Sequence, residues 1–207
     1  MDIVLSAILF LLFASLVAFI FFLRIRALQE SKKIVQYFEN LKNKFQMQMN
    51  FHPKEANHIL PVLSGIVKGR DTLIERTIKD KYKYLVLSIS LKNKKKLSLQ
   101  ITPKNHLREK EKADESQLLE SGIAYIDNNY FVSASDRAFL ENFLVEHFMR
   151  WKNKYAQVWH LFSTLVIYKD RITLVLLSVP TRIKYDSLLE EFLQDLQIVA
   201  SEIEEEI

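Results

Sequence analysis

The stretch Leu161–Val179, LFSTLVIYKDRITLVLLSV, reads as two strands closed by a turn at Lys169-Asp170. Branched and aromatic residues fill both halves, the composition that a pleated, half-buried surface accepts. From Ile172 to Val179 only Thr173 and Ser178 are polar. A run this apolar marks a strand covered on both faces, so the hairpin is expected at the centre of a sheet. Pro180 ends it, because proline cannot donate to a ladder.

Upstream, four more strands are expected at Val62–Lys68, Thr72–Ile78, Lys83–Leu91 and Leu97–Thr102. Gly69 punctuates the first pair and Asn93 opens the turn of the second. Connections this short predict antiparallel hairpins, since a parallel crossover needs a dozen or more residues. Lys92, Lys94, Lys95 and Lys96 would then sit on a solvated hairpin tip. Asn50–Pro61 reads as a loop and Pro103–Ser121 as a charged surface excursion. Ile123–Ser133 resumes extended character, broken by a turn at Asp127-Asn128-Asn129.

Three helices frame these strands. Arg24 to Phe45 carries Ile34, Val35, Phe38, Leu41 and Phe45 on one stripe. A second helix starts at Ser135-Asp136, residues that cap free N–H groups and face the positive dipole end, and runs to Tyr155. Along it Phe139, Phe143, His147, Trp151 and Tyr155 recur at four-residue steps beside Leu140, Leu144 and Phe148. The third starts near Asp186 or Ser187 and aligns Leu189, Phe192, Leu193, Leu196, Val199, Ile203 and Ile207 before the acidic tail Glu204–Glu206. Strands and helices do not alternate strictly. The expected class is therefore α+β, a mostly antiparallel sheet with amphipathic helices packed on one face.

Ahead of all this, Ile3–Leu23 holds no charge, and Ser6 and Ser15 are its only polar residues. At 1.5 Å per residue it spans about 30 Å, the thickness of a hydrocarbon core. A cleaved signal peptide would have a basic start and a shorter core; here Asp2 is the only side-chain charge before the run. Arg24, Arg26, Lys32 and Lys33 follow directly and none precedes, which places the N-terminus outside and the bulk in the cytoplasm, at the inner membrane. Ala14 and Ala18 form a small-xxx-small pair of the kind met by chance in many spans. The expected organisation is a transmembrane helix with a short tail over 1–23, a juxtamembrane helix over 24–50 and a cytoplasmic α+β domain over 51–207.

The 207 residues are 49% apolar and 26% charged, with no cysteine, which excludes disulfides, zinc–thiolate sites and thiol nucleophiles. The net charge of +4 hides a division. Arg24–Lys112 holds 21 Lys and Arg against 8 Asp and Glu; Ala113–Ile207 holds 8 against 16. A basic membrane-proximal half is drawn to anionic lipid. No helix-turn-helix, zinc-finger or aromatic-basic signature accompanies the lysines, so nucleic acid is not expected.

Chemistry is sparse. Gly65, Gly69 and Gly122 supply neither G-x-G-x-x-G nor a Walker loop. His52, Glu55 and His58 could hold a metal, but Pro53 makes a continuous helix awkward and three-residue steps drift around its axis, so a polar loop is the better reading. His147 and His160 would need a nucleophile and an orienting group to act as bases. Trp151, Tyr155, Trp159 and Phe162 cluster in sequence, as a core or a groove. Capping and turns account for Asp127, Asp136 and Asp170. No cofactor or metal is expected.

The segments Leu63–Arg70, LSGIVKGR, and Tyr125–Asp136, YIDNNYFVSASD, resemble a pattern in uncharacterised bacterial single-pass membrane-anchored proteins, a Gly-x-x-x-Gly-Arg strand followed downstream by an acidic-aromatic strand-to-helix junction. The resemblance implies an α+β domain behind one membrane helix and carries no catalytic residue. The expected function is a non-enzymatic scaffold subunit of a membrane complex, binding a protein partner or assembling with itself. Arg24, Arg26, Lys32 and Lys33 would touch the membrane surface; Phe38, Phe139, Phe143, Trp151, Leu193 and Leu196 would form a partner or packing face. One alternative is a regulator reading anionic lipid through Arg24–Lys44 and the Lys92–Lys96 tip. Another is a ligand-binding or hydrolytic domain built on His147 or on the His52 loop.

Overall fold

The computed structural model describes residues 2–52, 60–79, 82–106, 119–178 and 187–205, with backbone alone for residues 2–7 and for His106. Its strands are β1 (Gln48–Phe51), β2 (Pro61–Val67), β3 (Arg70–Lys79), β4 (Tyr82–Ser90), β5 (Leu99–Pro103), β6 (Tyr130–Ala134), β7 (Phe162–Tyr168) and β8 (Arg171–Leu177). They form one sheet in the order β1-β2-β3-β4-β8-β7-β5-β6, antiparallel at every pairing. The expected α+β class holds, and the run from Ile172 is indeed a central strand, β8, between β4 and β7.

Register explains how one face became the core. Ile74, Leu87, Leu174, Leu165, Ile101 and Val132 lie in one row across six strands, and all are buried. The neighbouring row on the opposite face carries Glu75, Val86, Val175 and Thr164, all half-buried. Helices therefore cover one side, as the period-two pattern requires.

Three departures from the sequence reading have physical causes. First, β4 and β5 are not a hairpin. The β7–β8 pair is inserted between them, so residues 91–98 form a crossover rather than a tip. Asn93 ties this crossover down: its amide donates to the carbonyls of Leu97 and Lys169, each at 2.7 Å, and its oxygen accepts from the Leu97 N–H at 2.8 Å. Lys169 lies in the β7–β8 turn with φ 51°, so a side chain, not a turn, decides the order. Second, a strand was missed: Gln48–Phe51 pairs with β2 inside segments read as helix and loop. It fits because Gly65 has no side chain; a Cβ there would lie 3.2 Å from the Met47 Cα.

Third, Ala124–Asn129 is a helix, α2, where an extended segment with a turn was expected. The Asp127 carboxylate reaches back to accept from the N–H groups of Ser121 and Gly122, at 2.8 and 3.1 Å, and from the Ser121 hydroxyl at 2.8 Å. That closes the turn before the helix in the manner of a capping box. The expected loop over 50–61, the excursion over 103–121 and the end of the hairpin at Pro180 fall largely outside the described residues.

The first helix, α1 (Asp2–Phe45), runs unbroken from the apolar segment into the domain. Side chains from Ile8 to Arg26 are exposed all round, whereas Ile34, Tyr37, Phe38 and Leu41 are buried. The helix expected over 135–155 is present in three parts: α3 (Arg137–Phe143), a π-helical turn (Leu144–Phe148) and α4 (Met149–Lys154). Asp136 caps α3, accepting from Phe139 N–H at 2.7 Å. The π turn answers the strict four-residue spacing. In a regular helix each four-residue step drifts by about 40°, and a wider turn cancels that drift. Phe143, Trp151 and Tyr155 consequently all reach the core. The last helix, α5 (Leu188–Glu205), buries Leu189, Phe192, Leu193, Leu196, Val199 and Ile203 as expected.

A candidate ligand site at the near end of the sheet

The sheet has two unlike ends. At one, the near end, α1 arrives: Glu30 accepts from Lys83 at 3.2 Å, beside the β3–β4 connection. Arg76, one strand over, is 2% exposed; burial lowers its pKa and Glu30 opposes that shift. At the other end α5 finishes. Glu204 receives both Arg70 guanidinium nitrogens, at 2.6 and 3.0 Å, and the Lys92 N–H at 2.6 Å. The Arg70 hydrogen bonds outweigh burial and, with Lys92, hold the Glu204 carboxyl below its usual range.

The near end also carries a cavity of about 410 Å³, framed by the end of β5, α2, the start of β6 and the short turn Trp159–Leu161. Register places it there: Pro103 pairs with Tyr130, and Phe162 with Leu176 in β8, close to the Leu177–Tyr84 pair that starts β4. Its wall is aromatic. Trp159 stacks on Phe162 with rings 4.8 Å apart and donates its indole N–H to the Tyr130 hydroxyl at 2.9 Å. Phe148 meets Tyr130 edge-on behind them. Burial, with Tyr125 alongside and against the Trp159 hydrogen bond, pushes the Tyr130 hydroxyl up to about 12, so it stays protonated at neutral pH. The rim is polar: Lys104, Asn105, Asn128 and His160 are exposed there. Lys104 donates to the Asp127 carbonyl at 2.5 Å.

The residues singled out from sequence are distributed differently. Trp159, Phe162 and His160 line this cavity; Trp151 and Tyr155 lie elsewhere, in the core under α5. Tyr155 donates to Asp195, which Lys154 also contacts at 3.0 Å through both oxygens. Burial and then Asp195 raise the Tyr155 pKa. His147 meets Glu202 of α5 at 2.6 Å, an interhelical tie. His52 lies 3.0 Å from Glu75, while Glu55 and His58 fall outside the described residues. Among the described residues no group of three potential ligands gathers around a metal.

Phe38, Phe143, Trp151, Leu193 and Leu196 are buried in the core and Phe139 is half-buried. Arg24, Arg26, Lys32 and Lys33 are exposed around α1. Lys92, Lys94, Lys95 and Lys96 lie at the far end, seven residues of β4 beyond Lys83, or roughly 23 Å away. Sequence reasoning missed Tyr125, Tyr130, Asn105 and Asn128 as cavity residues, because strands distant in the chain bring them together.

No family model and no curated protein sequence matches the chain. One solved structure is similar in fold. It is the mycobacterial trehalose monomycolate transport factor A, TtfA, with a TM-score of 0.55 over 80% of this chain and 92% of that one. Identity is 9%, so the likeness is one of architecture. It agrees with the α+β arrangement read from the sequence.

Proposed function

We propose that this protein is a single-pass inner-membrane protein, N-terminus outside and bulk cytoplasmic, acting without catalysis as a subunit of a membrane complex. Its domain binds a protein partner or a second copy of itself. The observation that carries this reading is the unbroken α1. Its first half is exposed and apolar on every side, with a mean hydropathy of 2.7 in its best window, and its second half is part of the domain's own core. A helix continuous from bilayer to core fixes the height and orientation of the domain, as a partner in the same membrane requires; a flexible tether would not. Arg24, Arg26, Lys32 and Lys33 ring α1 where anionic headgroups would lie, each contributing about 1 kcal/mol and biasing orientation.

The likeness to a transport factor supports an accessory role in moving material at the envelope. The lipid-reading alternative is weaker, since the Lys92–Lys96 crossover lies at the end remote from the basic turns of α1. The test is crosslinking in intact membranes, followed by native mass spectrometry in mild detergent. The reading expects a species heavier than the 24.4 kDa chain. It also expects that the combined change Leu12→Arg, Leu16→Arg and Phe19→Arg, each costing about 3 kcal/mol in the middle of the span, releases the chain from the membrane and abolishes that species. A strictly monomeric wild-type chain in the membrane counts decisively against it.

A further inference from the structure

We infer that the near-end cavity binds a polyol phosphate, a hydroxylated saturated ring bearing one phosphate group, as found free or as the headgroup of an anionic lipid. This goes beyond the partner reading and does not depend on it. Size comes first: about 410 Å³ lies in the range of small-molecule sites and admits one six-membered ring with its phosphate. Charge comes second. Lys104 and His160 stand on the rim, and no carboxylate is among the described lining residues. Asp127, on the helix that frames the cavity, has its carboxylate spent on Ser121 and Gly122, and its backbone carbonyl is what Lys104 meets. Burial opposes its ionisation, but those hydrogen bonds and Lys104 outweigh it. A phosphate arriving at Lys104 would replace a neutral carbonyl as acceptor, giving the shorter, stronger charge-assisted bond.

The polyol part follows from the amides and rings. Asn105 and Asn128 each offer a donor and an acceptor, the pairing a hydroxyl needs. Tyr125 and Trp159 offer aromatic surface to the C–H face of a ring. The pocket is held before any ligand arrives, by the Trp159–Tyr130 hydrogen bond, the Trp159–Phe162 stack and Lys152 seated 3.6 Å over the Tyr125 ring. Little ordering is then required on binding. The cavity lies at the end of the strands where α1 arrives, two to four strands, or roughly 10–19 Å, across the sheet from the Lys83–Glu30 contact, and a lipid headgroup and a free polyol phosphate are the two sources the experiment separates.

Calorimetric titration of the full-length chain in detergent micelles tests this with three probes: dioctanoyl phosphatidylinositol, dioctanoyl phosphatidylserine and free inositol 1-phosphate. The inositol lipid is expected to bind about tenfold more tightly than the serine lipid, as two or three hydroxyl contacts would give. Lys104→Ala should weaken it by about tenfold and Asn128→Ala should erase the preference over serine, with thermal unfolding unchanged in both exposed-site variants. If inositol 1-phosphate binds as well as the lipid, the ligand is soluble; if only the lipid binds, it comes from the membrane. Equal binding of the two lipids, indifference to both variants, or no heat from either inositol probe overturns the inference. None of these outcomes bears on whether a crosslinked partner is found.

Discussion

The two ends of the sheet are held by different mixtures of contacts. At the near end α1 is fastened by apolar burial of Ile34, Phe38 and Leu41, with the exposed Lys83–Glu30 pair adding little. At the far end α5 is fastened by apolar burial of Val199, Ala200 and Ile203 and, in addition, by a set of polar contacts: Glu204 on Arg70 and Lys92, Ser201 on Arg70, and the Gln197 amide on the Val67 carbonyl at 3.2 Å. At this same end, the Asn93 crossover joins β4 to β5. The contrast separates what depends on shape and water exclusion from what depends on hydrogen-bond geometry and proton concentration. It predicts that the near end resists pH, while the far end holds a part of its stability that acid removes.

The largest effect is expected at Phe38, which is fully buried between α1 and the sheet. Phe38→Ala should cost about 3–5 kcal/mol, a large share of the roughly 5–15 kcal/mol that holds a domain together. Phe19 is on the same helix but 58% exposed. Phe19→Ala should leave domain unfolding unchanged. Urea titration of the two variants in detergent, followed by near-ultraviolet circular dichroism, makes the comparison. Equal losses would mean that the first half of α1 is also packed on the domain.

A smaller loss, about 1–3 kcal/mol, is expected for Asn93→Ala, which leaves buried backbone groups at Leu97 and Lys169 without their partner. Asn93→Asp should be no better, since a carboxylate cannot donate to the two carbonyls the amide serves. The same urea titration checks both. A neutral Asn93→Ala would show that strand order survives without the tie.

This contrast also marks where the sequence is legible. Apolar periodicity identified the stripes of α1, α3–α4 and α5 and the core hairpin, because hydrophobic burial follows spacing along the chain. It did not place the β7–β8 pair between β4 and β5, since that depends on Asn93 reaching a turn 76 residues away. Nor did it find β1, whose four residues bury no full side chain, or α2, whose cap comes from Asp127 reaching backward. The strict four-residue spacing around His147 did contain the π turn, had its drift been counted. The cavity was legible only as a run of aromatics: Trp159 and Phe162 belong to it, while Trp151 and Tyr155 do not, because the chain turns at Val158 between them.

The smallest effect is also the most specific, and concerns the acidic tail. Arg70 beside it holds the Glu204 carboxyl below its ordinary 4.5 in the folded chain. A depressed folded pKa means that the unfolded chain binds the proton more readily. The stabilisation is then fully present above the unfolded value, and is lost as pH falls through the folded one. Glu204→Gln removes this dependence. Wild type should therefore exceed the variant in urea midpoint near pH 7, and the gap should narrow as the pH falls below the ordinary 4.5 and close once it passes the lower folded value, where both chains carry a neutral group. Taking the difference between the two chains cancels the acid sensitivity contributed by Asp127, whose pKa is also lowered. A gap that stays constant to about pH 3 would mean that Glu204 acts through packing alone, and the far end would then be held by the same means as the near one.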